Sequence, residues 1–251
     1  MMISVTKHIT LEKLRNKLAI AGRQEELSQL YSEKYTYLED ENSPSFWDKR
    51  FHEFPIEHPM ARMREQFVAE NIDDKRKMLH LGVGTGTLEQ LLFLKIKPEN
   101  YLGTDITADS LKTVQQKFPS YSFRKVSLYN LPFTDKSFEQ VALLEVLEHI
   151  QPKFTFKVLS EINRVLKING TFIISIPVNE NLERVLPHNP NSHQRLYTRE
   201  LLSAELKMVG FKINHVEPFY AFGSKYRLKK FLSDSFHIRQ PNNLVFICQK
   251  Q

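Results

Sequence analysis

The sequence predicts an α/β fold, a largely parallel sheet with helices on both faces. Three observations predict it. From Lys77 onward, short apolar runs alternate with segments of helical period, the pattern of repeated strand–helix units. A glycine-rich loop, Gly82-Val83-Gly84-Thr85-Gly86, falls between the first of those strands and the helix after it. The composition is that of a globular chain, 251 residues with 41% hydrophobic and 25% charged, long enough to bury a full core.

The elements follow in order. Residues 1–70 read as helical. Leu11, Leu14 and Leu18 share one face, and Leu27, Leu30, Tyr31 and Leu38 share another. Gly22 separates these runs, and Ser43-Pro44 opens a third with proline in the first turn. Phe46, Trp47, Phe51 and Phe54 make that third run aromatic. The expectation is a helical lid over 1–70, set on a main domain over 71–251. In the main domain, Met78 to Leu81 reads as a buried strand and Leu88 to Ile96 as a helix. Tyr101 to Asp105 is a strand, Ser110 to Phe118 a helix stopped by Pro119, and Tyr121 to Ser127 a strand. Phe138 to Leu144 is a strand and Lys153 to Leu166 a helix. Asn169-Gly170 is a turn signal before the apolar strand Thr171 to Ile176. Thr198 to Val209 is helical and ends at Gly210, and Phe211 to Val216 and Leu244 to Cys248 are late strands.

Composition excludes several classes. Cys248 is the only cysteine, so no intramolecular disulfide or cysteine zinc cluster forms, which fits a reducing compartment. No apolar run is long enough to span a bilayer, and Met1 to Thr10 lacks the apolar core of a signal peptide. The expectation is a soluble, cytoplasmic protein. The net charge of +6 is concentrated late, because residues 181–251 hold 11 basic and 5 acidic side chains. A solvated face explains that excess, and so does an anionic partner.

The glycine loop carries the chemistry. Glycines let the backbone turn tightly and approach a ligand, and the free N–H groups at the helix start favour an anionic group. No Gly-Lys-Ser/Thr follows, which argues against an ATPase phosphate loop. The spacing is Gly-x-Gly-x-Gly, and Asp105 ends the second strand 19 residues after Gly86. A carboxylate there can accept from the hydroxyls of a ribose.

Five blocks then resemble the class I S-adenosylmethionine-dependent methyltransferases (methyltransferase type 11-like), in order and spacing. They are Leu79 to Leu88, Tyr101 to Asp105, Leu131 to Phe138, Leu144 to His149, and Arg164 to Gly170. The resemblance implies a Rossmann-like, seven-stranded sheet whose last strand is antiparallel, and S-adenosyl-L-methionine as cofactor. It implies that Gly82, Gly84 and Gly86 line the methionine part, that Asp105 takes the ribose hydroxyls and that Ile106 packs on adenine. Ser127 and Leu128 would meet the adenine edge, and Glu145 would stand beside the sulfonium. Two positions depart from the family: His80 stands where an acidic residue is usual, and Ser127 where aspartate is usual.

For catalysis, His149 and His193 are the candidates to orient or deprotonate an acceptor. Glu145, Glu148 and His149 cluster on one turn, and with His193 they offer donors for a divalent metal. That set resembles the Glu-x-x-Glu-His element of ubiquinone-pathway O-methyltransferases and of small-RNA 2′-O-methyltransferases, in which a later histidine precedes an aromatic-Thr-Arg segment, here Tyr197-Thr198-Arg199. The same Glu-Val-Leu-Glu-His run also occurs in metal-free members, and the expectation is no metal. His188 is a further histidine after the fifth strand, whereas His80 and His215, in apolar strands, read as packed structural residues. The leading expectation is methyl transfer to a small-molecule acceptor at oxygen. An RNA methyltransferase using Lys225, Arg227, Lys229, Lys230 and Arg239, and a cofactor-binding protein without catalysis, stand as alternatives.

Overall fold

The computed structural model describes residues 5–34, 43–51, 59–179 and 193–251. Four helices come first: α1 (Val5–Ile20), α2 (Gln24–Lys34), α3 (Pro44–Phe51) and α4 (Pro59–Glu70). Ser43 caps α3, its Oγ accepting from the Phe46 N–H at 3.1 Å. The main domain then runs β1 (Met78–Leu81), α5 (Thr87–Leu92), β2 (Tyr101–Asp105), α6 (Ala108–Lys117), β3 (Ser122–Lys125) and β4 (Phe138–Leu144). It continues through α7 (Thr155–Val165), β5 (Leu166–Pro177), α8 (Arg199–Met208), β6 (Phe211–Phe219), α9 (Tyr226–Phe236) and β7 (Asn243–Lys250).

The seven strands form one sheet in the order β3-β2-β1-β4-β5-β7-β6. β7 lies antiparallel between β5 and β6, and the other neighbouring pairs are parallel. This is the expected Rossmann-like architecture with its last strand reversed. Chain direction across the sheet reverses between β1 and β4, and a cleft opens there at the carboxyl ends of the strands.

Residue alternation along the strands feeds two cores. Leu79, Leu81, Val141, Leu143, Phe172 and Ile174 face one side, where Val158, Ile162 and Leu202 of α7 and α8 cover them. Met78, Ala142, Leu144 and Ile173 face the other, against Leu88 and Leu92 of α5 and Val114 of α6. The N-terminal helices divide between these faces. Leu18, Leu27, Leu30 and Tyr31 join the first core, whereas Val68 and Ala69 of α4 join the second. α3 packs on α6. Leu38 and Phe54 lie outside the described residues.

Two local expectations need correction. Asn169-Gly170 does not end an element: β5 runs unbroken from Leu166, with Asn169 at φ 60°. The β4–β5 register shifts between Phe138 and Gln140, so the expected turn is absorbed as an irregularity within the strand. His215 is not packed inside. β6 is an edge strand, and the half-exposed His215 ring lies beside Phe67 of α4 and meets Glu217 Oε2 at 2.9 Å.

Candidate active site

The cleft holds a cavity of about 560 Å³. The glycine loop forms one wall. Gly82, Gly84 and Gly86 all have φ between 51° and 83°, a region that L side chains rarely adopt. Their roles then diverge. A Cβ on Gly82 would stand 2.7 Å from Val146 Cγ2, so this glycine lets the loop lie against the β4 exit. A Cβ on Gly86 would stand 2.9 Å from Phe118, and Gly86 starts α5 without lining the cavity. A Cβ on Gly84 would meet nothing within 4 Å, so open space stands over the loop where a ligand can approach.

Asp105 is buried at the end of β2 with its carboxylate against that loop. Oδ2 accepts from the Gly84 N–H at 2.9 Å, and Oδ1 from the Thr107 N–H and Oγ1, both at 3.0 Å. Ser110 Oγ lies 3.2 Å from Oδ2 and 2.6 Å from the Gly84 carbonyl oxygen. A hydroxyl has one proton, and the shorter contact takes it, leaving acceptor capacity on Oδ2. Ile106, Ser127 and Leu128 line the cavity beyond Asp105. The Val126 N–H donates to the Asp105 carbonyl oxygen at 3.0 Å and so holds the end of β3 beside β2.

The opposite end of the loop is ionic and almost closed to water. His80 Nδ1 is 2.5 Å from Glu89 Oε1, which also accepts from the Tyr101 hydroxyl. Burial opposes the His80 imidazolium, but the Glu89 carboxylate outweighs it and holds the histidine pKa above its usual range. The other ring nitrogen, Nε2, is buried without a hydrogen-bond partner on a residue that lines the cavity. Arg64 of α4 bonds Glu65 at 3.1 Å and Glu145 at 3.0 Å, and its Nε is likewise unpartnered. Burial lifts the Glu65 carboxyl pKa, and the Arg64 guanidinium offsets part of that rise.

Glu145 follows β4 at φ 54°. Besides Arg64, its carboxylate accepts from Ser175 Oγ at 2.8 Å and from Asn243 Nδ2 at 2.8 Å. Strands β4, β5 and β7 and helix α4 therefore meet on one side chain. Just beyond it, the short 3-10 turn Leu147–His149 presents His149. The Gln194 N–H donates to the Glu148 carbonyl oxygen at 2.8 Å, which draws the later segment back over that turn. The His149 and His193 rings then stand 4.9 Å apart between centroids, and Trp47 of α3 meets His149 edge-on at 4.6 Å. Glu148, His149 and His193 each offer one donor atom within 4.8 Å of the others. His188 lies outside the described residues.

The cavity thus brings together His80, Gly82, Gly84, Asp105 and Ile106 with Ser127, Leu128, Glu145, His149 and His193. Of the candidates read from sequence, Gly86 alone stands behind the wall. Trp47, read from sequence as part of an aromatic run, also lines the cavity, whereas Arg64, Glu89 and Asn243 were not anticipated. A glutamate on the apolar face of α5, opposite His80, is the one signal that pointed to any of them.

A glycine loop opening the first strand–helix unit, a carboxylate ending the second strand, and a cleft at the sheet's switch point define the class I S-adenosylmethionine-binding fold. Residues 79–174 match the family model described as a methyltransferase domain, and this stretch of the chain is similar to the class I S-adenosylmethionine-dependent methyltransferases. S-adenosylmethionine is the cofactor of that family. A Mycolicibacterium smegmatis protein named as an S-adenosylmethionine-dependent methyltransferase is 30% identical over 144 residues, which cover 55% of this chain and 52% of that one. A fatty-acid O-methyltransferase of the same organism is 29% identical over 100 residues, 39% of this chain and 36% of that one. The chain spans about half the length of the first curated relatives it matches. A crystal structure of an S-adenosylmethionine-dependent methyltransferase from Archaeoglobus fulgidus shares the fold with TM-score 0.61 and 19% identity, covering 82% of this chain and 99% of that one.

Proposed function

We propose that this chain transfers a methyl group from S-adenosylmethionine to an oxygen atom of a small-molecule acceptor. One observation carries the reading: a single cavity is lined at one end by the Asp105 carboxylate and the open Gly84, and at the other by His149 and His193. The fatty-acid O-methyltransferase among the relatives supports oxygen as the accepting atom.

The residues present suit the cofactor. The spare acceptor capacity on Asp105 suits ribose hydroxyls, Ile106 offers an apolar flank for adenine, and Ser127 and Leu128 offer hydroxyl and backbone groups to its edge. At the methionine end, Arg64 offers its Nε to a carboxylate, and His80, in the protonated form that Glu89 favours, would offer its Nε2. His80 therefore replaces the family's acidic residue with the opposite polarity, recognising the carboxylate instead of the amino group. Glu145, fixed by Arg64, Ser175 and Asn243, would offer its carboxylate to the sulfonium of the bound cofactor.

Bound S-adenosylmethionine supplies an already activated methyl group. The chain contributes alignment and proton handling. Trp47 meets the His149 ring edge-on, and the His149 or His193 imidazole would take the acceptor's hydroxyl proton as the oxygen is methylated. Calorimetry with S-adenosylhomocysteine tests the cofactor site. Asp105→Ala should weaken binding by about 1.5–3 kcal/mol, as for hydrogen bonds to a charged group. No heat from the wild type at millimolar ligand overturns the reading.

A second reading is favoured by the distances among Glu148, His149 and His193, since one carboxylate and two imidazoles can hold a divalent metal ion. Activity lost to a chelator and restored by Mn²⁺ or Mg²⁺ would select it.

A further inference from the structure

Helix α9 is folded inside out. At 3.6 residues per turn, Tyr226, Lys230 and Ser233 point to the body of the protein, where Tyr226 and Ser233 are buried. Lys230 is held there by Glu217 and Asp234, each at 2.8 Å. The opposite arc should be polar in a helix bathed only by water. It is instead mostly apolar, Leu228, Phe231, Leu232 and Phe236 around a single Ser235, with Ile238 just after the helix. Phe231, Phe236 and Ile238 are 64%, 67% and 69% exposed. Arg227 and Lys229 fall on the two margins of this arc, and Lys225 and Arg239 flank its ends. The acidic group of the helix, Asp234, is occupied by Lys230 and by the Tyr220 hydroxyl at 2.7 Å. The helix thus offers an apolar strip edged by cations whose own acids are neutralised elsewhere.

An apolar strip between basic margins matches the cross-section of an anionic bilayer surface, where acyl chains lie beneath negatively charged headgroups. We propose that α9 docks this protein on an anionic membrane, with Phe231 and Phe236 inserted below the headgroups and Arg227 and Lys229 at phosphate level. α9 joins the end of β6 to the start of β7, so it lies at the same edge of the sheet as the cavity, and Asn243 at the start of β7 bonds Glu145. Docking would hold the mouth of the site near the bilayer. This placement does not depend on the methyl-transfer reading, and its test uses no turnover.

The test is sedimentation of the full chain with vesicles of phosphatidylcholine alone or with one-third phosphatidylglycerol. The expected result is binding to the anionic vesicles, little binding to phosphatidylcholine, and weakening by added salt. Phe231→Ser with Phe236→Ser should lower partitioning about tenfold or more, and Arg227→Glu with Lys229→Glu should do so at low salt. Unchanged melting temperature and S-adenosylhomocysteine affinity would show that both variants are folded. As an independent readout, Phe236→Trp should shift its emission to the blue on anionic vesicles and be quenched by brominated acyl chains. A wild type that stays in the supernatant at low salt overturns the proposal, as does an apolar variant that binds like wild type. A concentration-dependent dimer that the apolar variant dissolves, without vesicle binding, assigns the strip to a second copy instead. RNA binding lost only in the charge variant, without vesicle binding, assigns the margins to nucleic acid.

Discussion

Alanine at two neighbouring loop positions should separate stability from binding. Gly82 and Gly84 both have positive φ, 83° and 51°, so alanine at either incurs left-handed backbone strain of roughly 1–2 kcal/mol. There the likeness ends. The new methyl at 82 would stand 2.7 Å from Val146 Cγ2, inside contact distance, whereas at 84 it would meet no protein atom within 4 Å. Overpacking of that kind adds about 1–3 kcal/mol. For a chain of this size, that difference is about 2–12 °C of melting temperature. Gly82→Ala should therefore melt well below Gly84→Ala, and Val146→Ala in the Gly82→Ala background should recover part of the loss. Gly84→Ala should instead weaken S-adenosylhomocysteine by about tenfold or more, because its methyl occupies space the ligand needs. Thermal melts and calorimetry on the four proteins decide it. Equal melting of the two single variants, or no recovery with Val146→Ala, refutes the steric argument. Undiminished affinity in Gly84→Ala refutes the placement of the ligand.

Further outcomes follow from the same geometry. His149→Ala should lower turnover about 10²–10⁴-fold with little change in cofactor affinity, and an unaltered rate would make the histidine pair structural. The raised pKa of His80 means its pair with Glu89 stabilises the fold fully below the unfolded histidine value, about 6.5. That contribution is lost as pH climbs through the higher folded value. The melting temperature of the wild type relative to His80→Asn should shrink across that window, and parallel profiles would count against it. Cys248 is buried, and burial pushes its thiol up to about 12. Ellman's reagent should therefore leave the native protein untouched and titrate one thiol after denaturation, so rapid native labelling would contradict the packing.

The parts of this molecule legible in its sequence are those written in short-range pattern. Strand and helix periods gave the sheet, and the glycine loop with Asp105 gave one wall of the cavity, because loop, strand end and helix start lie within one strand–helix–strand unit. Glu145 was legible as a position but not in its company. Its partner Asn243 lies 98 residues away, and Arg64 comes from a helix whose spacing shows only amphipathicity. Asn169-Gly170 misled because a turn signal is local, while β4 pairs with Leu166 before it and with Thr171 after it, so the strand resumes on the same neighbour. His215 misled because Ile213 and Val216 beside it suggest burial, and nothing local reveals that β6 takes the edge. The Phe219–Pro241 segment carried a clear apolar period at α9, but a period does not say which face turns outward.

The placement of β7 bears on how the chain is made. During synthesis β5 and β6 emerge before the strand that must lie between them, so up to residue 242 they have no ladder joining them. Glu145 lacks Asn243 over the same interval. A nascent chain can pair β1 to β5 as it leaves the ribosome, yet β6 stays unjoined to that sheet until residues 243–250 thread antiparallel into the gap. Non-local strand insertion of this kind is slow and leaves strand edges bare meanwhile. Completion of the seven-stranded sheet thus waits on residues 243–250, and a chain arrested before they emerge should yield a product that chaperones retain.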